Sequence, residues 1–220
     1  MFYREEHLQK HPHIQEIQPK NRLALIEATL DSVAEVGLLR TTVTEITSRA
    51  RLSRGMIHLH FSGKDNLILE AAKFAYRQYF DTLERNIPQD GVLPNRLIEA
   101  IVQSDLGAES LNQRTASIWY ELRGAARTNA EIFRFSDTRD DRLRDRLHSA
   151  VLQIYQSEVF PGPEDAAQDI TTGLIALLEG LWTDYLLHPK EFDRDVAMRV
   201  IFRFLMGIWP EHFDIKGAIA

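Results

Sequence analysis

Cysteine is absent from this chain of 220 residues, and so are long apolar runs. Without cysteine there can be no disulfide framework, no thiolate metal site and no cysteine nucleophile. The most apolar stretch, residues 173–187, is interrupted by Glu179 and Asp184 and falls short of the roughly 18 residues that a membrane span requires. The N-terminus contains acids and prolines instead of the apolar core of a secretory signal. We therefore expect a soluble, cytoplasmic protein with no membrane partner.

Motifs typical of enzymes are also lacking. The sequence has no glycine-rich phosphate loop, no HExxH pair and no G-x-S-x-G elbow. His7, His11 and His13 lie in a polar N-terminal segment, where we expect a mobile tail and not a metal site. His58 and His60 are two residues apart on an expected helix and therefore point to different faces. We predict no catalytic residues, no metal site and no cofactor.

The charge of the chain is unevenly distributed. The net charge is -6, yet residues 1–64 hold nine basic and seven acidic side chains. Within residues 36–64, four arginines and Lys64 face a single acid, Glu45. A basic patch on an acidic protein suggests a partner with phosphates, of which double-stranded DNA is the leading candidate. The alternative is a solvated face on a helical bundle.

Helical periodicity dominates the sequence, and no alternating run typical of a strand is present. The predicted fold class is all-α with about nine helices: a tail over residues 1–19, a head over 20–66 and a body over 67–220. A first helix beginning after Pro19 is expected to stop at Gly37. Thr42 and Glu45 predict a capping box for the second helix, and Ser53 an N-cap for the third. Later helices are expected at about 64–86, 94–105, 112–128, 130–157, 164–188 and 193–208.

The second and third helices have the spacing of a helix-turn-helix, with Ile57 and Phe61 facing inward. Arg54 is suited to a bidentate contact with guanine, and a glycine inside a helix costs roughly 1 kcal/mol. Gly55 therefore suggests close approach to a base pair. The candidates for base reading are Thr44, Arg54, Gly55, Met56 and Leu59. The candidates for phosphate contact are Thr41, Thr42, His58, His60 and Lys64.

Residues 52–67, LSRGMIHLHFSGKDNL, resemble the signature of the tetracycline-repressor (TetR) family, and TVTEI at 42–46 resembles its second helix. The resemblance implies a DNA-binding head, a ligand-binding body and dimerisation through the last two helices. Two residues depart from the family pattern. Arg51 stands where a turn glycine is usual, and His58 stands where a tyrosine usually contacts a phosphate.

Within that family the chain is similar to the choline-responsive BetI regulators. The likeness is carried by RLALIEATL at 22–30, VAEVG at 33–37 and GLIALLEGLW at 173–182. It implies an effector that is choline-like or another organic cation. Aromatic rings hold such cations through cation–π contacts, with a carboxylate nearby.

The candidates for the ligand pocket are aromatic and acidic residues of the body: Trp119, Tyr120, Glu121, Phe133, Glu179 and Trp182. Aromatic residues at helical spacing are also typical of a core, and that alternative stays open. Two apolar stripes near the C-terminus predict a dimer interface or, equally, internal core. The candidates for the dimer interface are Leu174, Leu177, Leu181, Tyr185, Ile201, Phe204 and Ile208. The stripes also contain Leu178, Val200 and Leu205.

These patterns together predict a homodimeric, ligand-responsive regulator. It would act as a repressor, released from a pseudo-palindromic DNA operator by a small-molecule effector. The alternative is an α-helical interaction protein whose helix-turn-helix head does not bind DNA specifically.

Overall fold

The computed structural model describes residues 12–88, 91–158 and 163–214, and in this part of the chain every regular element is helical. The described helices are α1 (Pro12–Val36), α2 (Val43–Ala50), α3 (Gly55–Phe61), α4 (Lys64–Asn86), α5 (Pro94–Leu106), α6 (Gln113–Ala126), α7 (Ala130–Glu158), α8 (Pro163–Leu187) and α9 (Arg194–Ile208), with a short 3₁₀ turn at Leu38–Arg40. The predicted all-α fold with about nine helices is confirmed. Residues 1–11 of the predicted tail lie outside the described residues.

Most helix boundaries fall within two residues of the prediction, and α4 matches it at both ends. The largest difference is at α1, which begins at Pro12 and continues through Pro19. Proline lacks the backbone donor that an internal helical position uses, so the sequence favoured a later start. The expectation that residues 12–19 form a tail is therefore wrong in its secondary structure.

The chain divides into two compact units, one ending at Ala71 and one beginning at Ala72. In the first unit, which we call the head, α1, α2 and α3 enclose a small apolar core. Arg22 of α1 pairs with Glu70 at 2.5 Å and lies over the ring of Phe61 at 5.0 Å. The main core side chains of the head are Leu25, Ile26, Leu30, Val33, Ile46, Ile57, Phe61 and Leu67.

The second unit, which we call the body, runs from the later part of α4 to α9. Helix α5 packs against α7, α8 and α9 and supplies fully buried side chains. Asn112 caps α6 and exchanges hydrogen bonds with Thr115, while Asp193 caps α9. The largest core side chains of the body are Leu83, Ile98, Ile101, Leu106, Leu111 and Phe202.

Candidate functional site

Helix α3 buries one side and exposes the other, as a recognition helix requires. Ile57 and Phe61 are buried in the head, whereas His58 is exposed and the side chain of Leu59 is 66% exposed. Met56 is half-buried. Of the residues of α3 predicted to read bases, Leu59 is therefore accessible from outside the head and Met56 is partly accessible.

Two of the predicted base-reading residues are in contact although they lie on different elements. The Arg54 guanidinium donates a hydrogen bond from Nη2 to Thr44 Oγ1 at 2.9 Å, and both side chains are exposed. Arg54 lies immediately before α3, and Thr44 lies in the first turn of α2. Thr44 thus orients the arginine fork at the N-terminal end of α3.

Gly55 occupies a different position from the one expected. It is the first residue of α3, so the cost of a glycine in a helix interior does not apply. A Cβ added there would meet only Ser53 Oγ, at 3.9 Å. The fold itself therefore does not require glycine here. Ser53 also lies one residue before the observed N-cap, Arg54, so the predicted cap position is wrong by one residue.

Arg51, where the family pattern has glycine, adopts the left-handed conformation with φ 54° and ψ 41°. Its backbone N–H donates to Ser48 O, and the N–H of Leu52 donates to Thr47 O at 3.0 Å. These two bonds form the Schellman arrangement that ends many helices. The turn is therefore built in its usual way with an arginine.

Several of the residues predicted to contact phosphate already form hydrogen bonds within the head. Thr41 is fully buried, and its hydroxyl donates to Gly37 O at 2.9 Å, so the prediction that it contacts phosphate is wrong. Lys64 Nζ donates to the carbonyl of Thr41 at 2.6 Å. The Thr42 hydroxyl caps α2 by accepting from the N–H of Glu45 at 3.2 Å, yet its side chain stays exposed. His60 is half-buried, and its ring meets Phe61 edge-on.

Arg49 is neutralised within the head and was counted wrongly as part of the basic patch. Its guanidinium bridges Glu35 of α1 at 2.6 Å and Glu45 of α2 at 2.7 Å. Hydrogen bonding from Arg49 lowers the pKa of the Glu35 carboxyl, and the same bonds raise the pKa of Arg49. Glu45 therefore pairs with Arg49, and the second half of the predicted capping box is not formed.

In the body, four aromatic rings from three helices pack on one another, and we call them the aromatic cluster. The ring centroids of Trp119 and Trp182 are 6.3 Å apart. Tyr76 meets Trp119 edge-on at 5.2 Å, and Tyr79 lies 6.5 Å from Trp119 and 6.3 Å from Trp182. Two of the predicted pocket residues are thus in contact, and two tyrosines of α4 join them.

A fully buried carboxylate lies beside the aromatic cluster. Asp105, in the last turn of α5, accepts a hydrogen bond from Tyr79 Oη at 2.5 Å and another from Trp182 Nε1 at 2.9 Å. Sequence reasoning missed Asp105, Tyr76 and Tyr79. The available signal was an acid on the apolar stripe that contains Ile98 and Ile101, since a charged residue is seldom buried without a purpose.

The other four predicted pocket residues are Glu179, Tyr120, Glu121 and Phe133. Glu179 pairs with Arg123, and Tyr120 Oη lies 2.6 Å from Thr183 Oγ1. Glu121 is half-buried two residues after Trp119, a spacing that turns it to a different face of α6. Phe133 is 51% exposed on α7.

The predicted interface residues on α8 and α9 are of two kinds. Leu174 and Ile201 are fully buried within one chain, so the prediction that they line a dimer interface is wrong; they belong to the core of the body. The others are half-buried: Leu177, Leu181, Tyr185, Phe204 and Ile208. Val196 and Val200 of α9 are exposed to 44% and 40%.

Among the described residues, no three side chains of histidine, aspartate or glutamate are grouped as a metal site. In the same part of the chain, no helix has the length and apolar character needed to span a membrane.

Two family models match the chain and cover the head and most of the body. The model of bacterial regulatory proteins of the tetR family matches residues 25–71. The model of the BetI-type transcriptional repressor, C-terminal domain, matches residues 94–210. The chain therefore belongs to the TetR family of transcriptional regulators, with a C-terminal domain of the BetI type.

Individual relatives agree with this family. The chain is 29% identical over 189 residues to the HTH-type transcriptional regulator BetI 1 of Chromohalobacter salexigens, a match that covers 86% of this chain and 90% of the relative. It is 25% identical to the HTH-type transcriptional regulator BetI of Stenotrophomonas maltophilia, a match that covers 86% of this chain and 93% of the relative.

Solved structures share the fold. A transcriptional regulator from Pseudomonas aeruginosa superposes with a TM-score of 0.77 at 24% identity, covering 93% of this chain and 98% of that one. A transcriptional regulator from Saccharomonospora viridis, solved in complex with choline, superposes with a TM-score of 0.74 at 21% identity. The match covers 85% of this chain and 96% of that one.

Membership of this family distinguishes between the two predicted functions, a DNA-binding regulator and an α-helical interaction protein. The chain is a DNA-binding transcriptional regulator and not an enzyme, as predicted. Regulators of this family bind DNA operators and small-molecule effectors and function as dimers. The alternative of a head that is not used for DNA binding is not supported.

Proposed function

We propose that this regulator is a cytoplasmic, homodimeric repressor that leaves a pseudo-palindromic operator when an organic cation binds beside Asp105. The observation that carries the proposal is the buried carboxylate, held by Tyr79 and Trp182 within the aromatic cluster. The choline complex of the S. viridis regulator supports the choice of a quaternary ammonium as the effector class.

The chemistry of the cluster suits a cation that carries methyl groups. Each ring face attracts such a cation by about 0.5 to 2 kcal/mol, depending on how far the contact is removed from water. A buried carboxylate carries a large desolvation cost, which a bound cation partly offsets. Choline and related quaternary ammonium ions combine both requirements.

The operator contacts that we propose use exposed side chains of the head together with the half-buried Lys64. Arg54, oriented by Thr44, reads a guanine, and Leu59 contacts a thymine methyl. Thr42, His58 and Lys64 contact phosphates, and Lys64 does so after exchanging its bond to Thr41 for a bond to DNA. A dimer places two such heads at half-sites about 34 to 36 Å apart.

We place the dimer interface on the half-buried and exposed side of α8 and α9. We assign to it Leu177 and Leu181 of α8, which are half-buried, and Val196 and Val200 of α9, which are exposed. Gly180 of α8 is exposed, and no atom lies within 4 Å of a Cβ added there. A second copy of the chain can therefore approach α8 closely at this point.

Helix α4 offers a physical route from ligand to DNA. Tyr76 and Tyr79 of the aromatic cluster lie on α4, and the same helix begins at Lys64. A cation that displaces the two tyrosines therefore acts on the helix that carries a phosphate contact. A coupling free energy of about 1 to 3 kcal/mol is typical of such regulation.

A gel-shift assay with DNA from beside the gene tests both halves of this function. We expect a salt-sensitive complex that choline dissociates and the neutral carbon analogue of choline does not. The matched control is the same DNA with half a helical turn inserted between the half-sites, which should lose binding because the two heads can no longer reach them together. A complex that is indifferent to spacing and to choline would contradict the proposal.

A further inference from the structure

A charged pair lies at the edge of the aromatic cluster. Arg123, four residues after Trp119 on α6, places its guanidinium carbon 5.7 Å from the centroid of the Trp119 ring. The same guanidinium pairs with Glu179, which lies one turn before Trp182 on α8. Trp119 therefore already holds one cation, and that cation is compensated by a carboxylate.

The Arg123–Glu179 pair is held in place from a neighbouring position. Tyr120 donates a hydrogen bond to the backbone carbonyl of Glu179 at 3.3 Å, and its hydroxyl lies 2.6 Å from Thr183 Oγ1. The side chains of Arg123 and Glu179 are 32% and 25% exposed, so the pair lies between the buried cluster and the solvent. Its two charges are screened only in part.

We propose that the Arg123–Glu179 pair sets the charge preference of the ligand site, an inference that rests on the proposed function. With both partners present the pair adds no net charge, so Asp105 supplies the carboxylate that selects a singly charged cation. Without Arg123, Glu179 adds a second negative charge beside the rings. Without Glu179, the Arg123 guanidinium competes with the ligand for the face of Trp119.

Ligand selectivity provides the test, measured by calorimetry on the full-length protein. The two probes are choline and its neutral carbon analogue, which has the same shape without the charge. The ratio of their affinities reports electrostatics, because any damage to packing affects both probes alike. The variants are Arg123→Met, Glu179→Gln and the double variant, each checked for unchanged thermal unfolding.

We expect Arg123→Met to raise the preference for choline by about three- to fivefold and Glu179→Gln to lower it by a similar factor, as for partly screened charges. The double variant restores the neutral balance and should return the ratio to that of the unmodified protein. Affinity for a doubly charged bis-quaternary cation should rise most in Arg123→Met.

The possible failures are distinguishable. If the unmodified protein prefers choline but both single variants keep its ratio, the pair does not set the preference and only this inference is overturned. If the unmodified protein does not distinguish the two probes, the cation site fails and the inference fails with it. A loss of affinity for both probes in all variants, at an unchanged ratio, would assign the pair a purely structural role and also overturn the inference.

Discussion

The residues that we propose to be functional are exposed to solvent in the head and buried in the body. In the head, Leu59 is exposed on α3 and Arg54 is exposed immediately before it, while the core beneath them supports their positions. In the body, Asp105 and Trp182 are buried, so the side chains of the proposed ligand site also contribute to packing. A substitution in the head can therefore change function without changing stability, whereas one in the body tends to change both.

The sharpest contrast lies within α8, between Leu174 and Leu181. Leu174 is fully buried, so Leu174→Ala should lower the free energy of unfolding by about 2 to 5 kcal/mol and leave the protein dimeric. Leu181 is half-buried, and Leu181→Glu should instead produce folded monomers. Chemical denaturation and analytical ultracentrifugation distinguish these outcomes. A Leu181→Glu protein that still sediments as a dimer would remove α8 from the proposed interface.

Asp105→Asn tests the buried carboxylate of the body by removing its charge while largely preserving the shape of the side chain. Asparagine keeps an oxygen that accepts a hydrogen bond but loses the charge, so choline affinity should fall by about 1.5 to 3 kcal/mol. Glu121→Gln removes a carboxylate from α6 and serves as the matched control, with little expected change. Calorimetry with choline measures both. Equal losses in the two variants would indicate a general effect of charge and not a carboxylate site at Asp105.

Arg54→Ala tests the exposed site of the head. Operator affinity should fall by about 1 to 3 kcal/mol, and discrimination should relax at one base pair, while thermal unfolding stays unchanged. Arg77→Ala removes an exposed arginine from the body and serves as the charge-matched control. Binding titrations against single-base operator variants measure the result. A uniform loss over all sequences would reassign Arg54 to a phosphate.

Arg51→Gly is expected to have the smallest effect, and it should stabilise the protein instead of destabilising it. Glycine adopts the left-handed conformation of this turn without strain but gains freedom in the unfolded chain, so we expect a net stabilisation of about 0.5 to 1 kcal/mol. Ala50→Gly, one residue earlier and helical, should destabilise by about 1 kcal/mol. Thermal unfolding of the two variants measures the difference. If both destabilise alike, the arginine side chain stabilises the turn through contacts of its own.

Some features of the head were predictable from sequence, for a physical reason. The Thr42 cap and the inward Ile57 and Phe61 depend on neighbours within about one turn of helix, and local spacing reports such contacts. Gly55 and Thr41 were misjudged because their surroundings come from the exact helix start and from the packing of the preceding turn.

The site of the body depends on contacts that spacing along the chain does not encode. Asp105 is 26 residues from Tyr79 and 77 residues from Trp182, and all three come from different helices. Leu174 and Leu181 lie on one stripe of α8, and only the arrangement of the other helices makes one of them core and the other accessible. The sequence pattern therefore indicated the stripe but not which of its residues are buried within one chain.

The placement of tryptophan gives the molecule an optical reporter of its own. Of the three tryptophans in the chain, Trp119 and Trp182 lie in the aromatic cluster, and the indole N–H of Trp182 is bound to Asp105. The third, Trp209, packs against Tyr155 and Phe213. Binding of a ligand at the proposed site should therefore be readable without a label, as a change in tryptophan emission and in the near-ultraviolet dichroism of the Trp119–Trp182 pair. Trp209→Phe would remove the constant background.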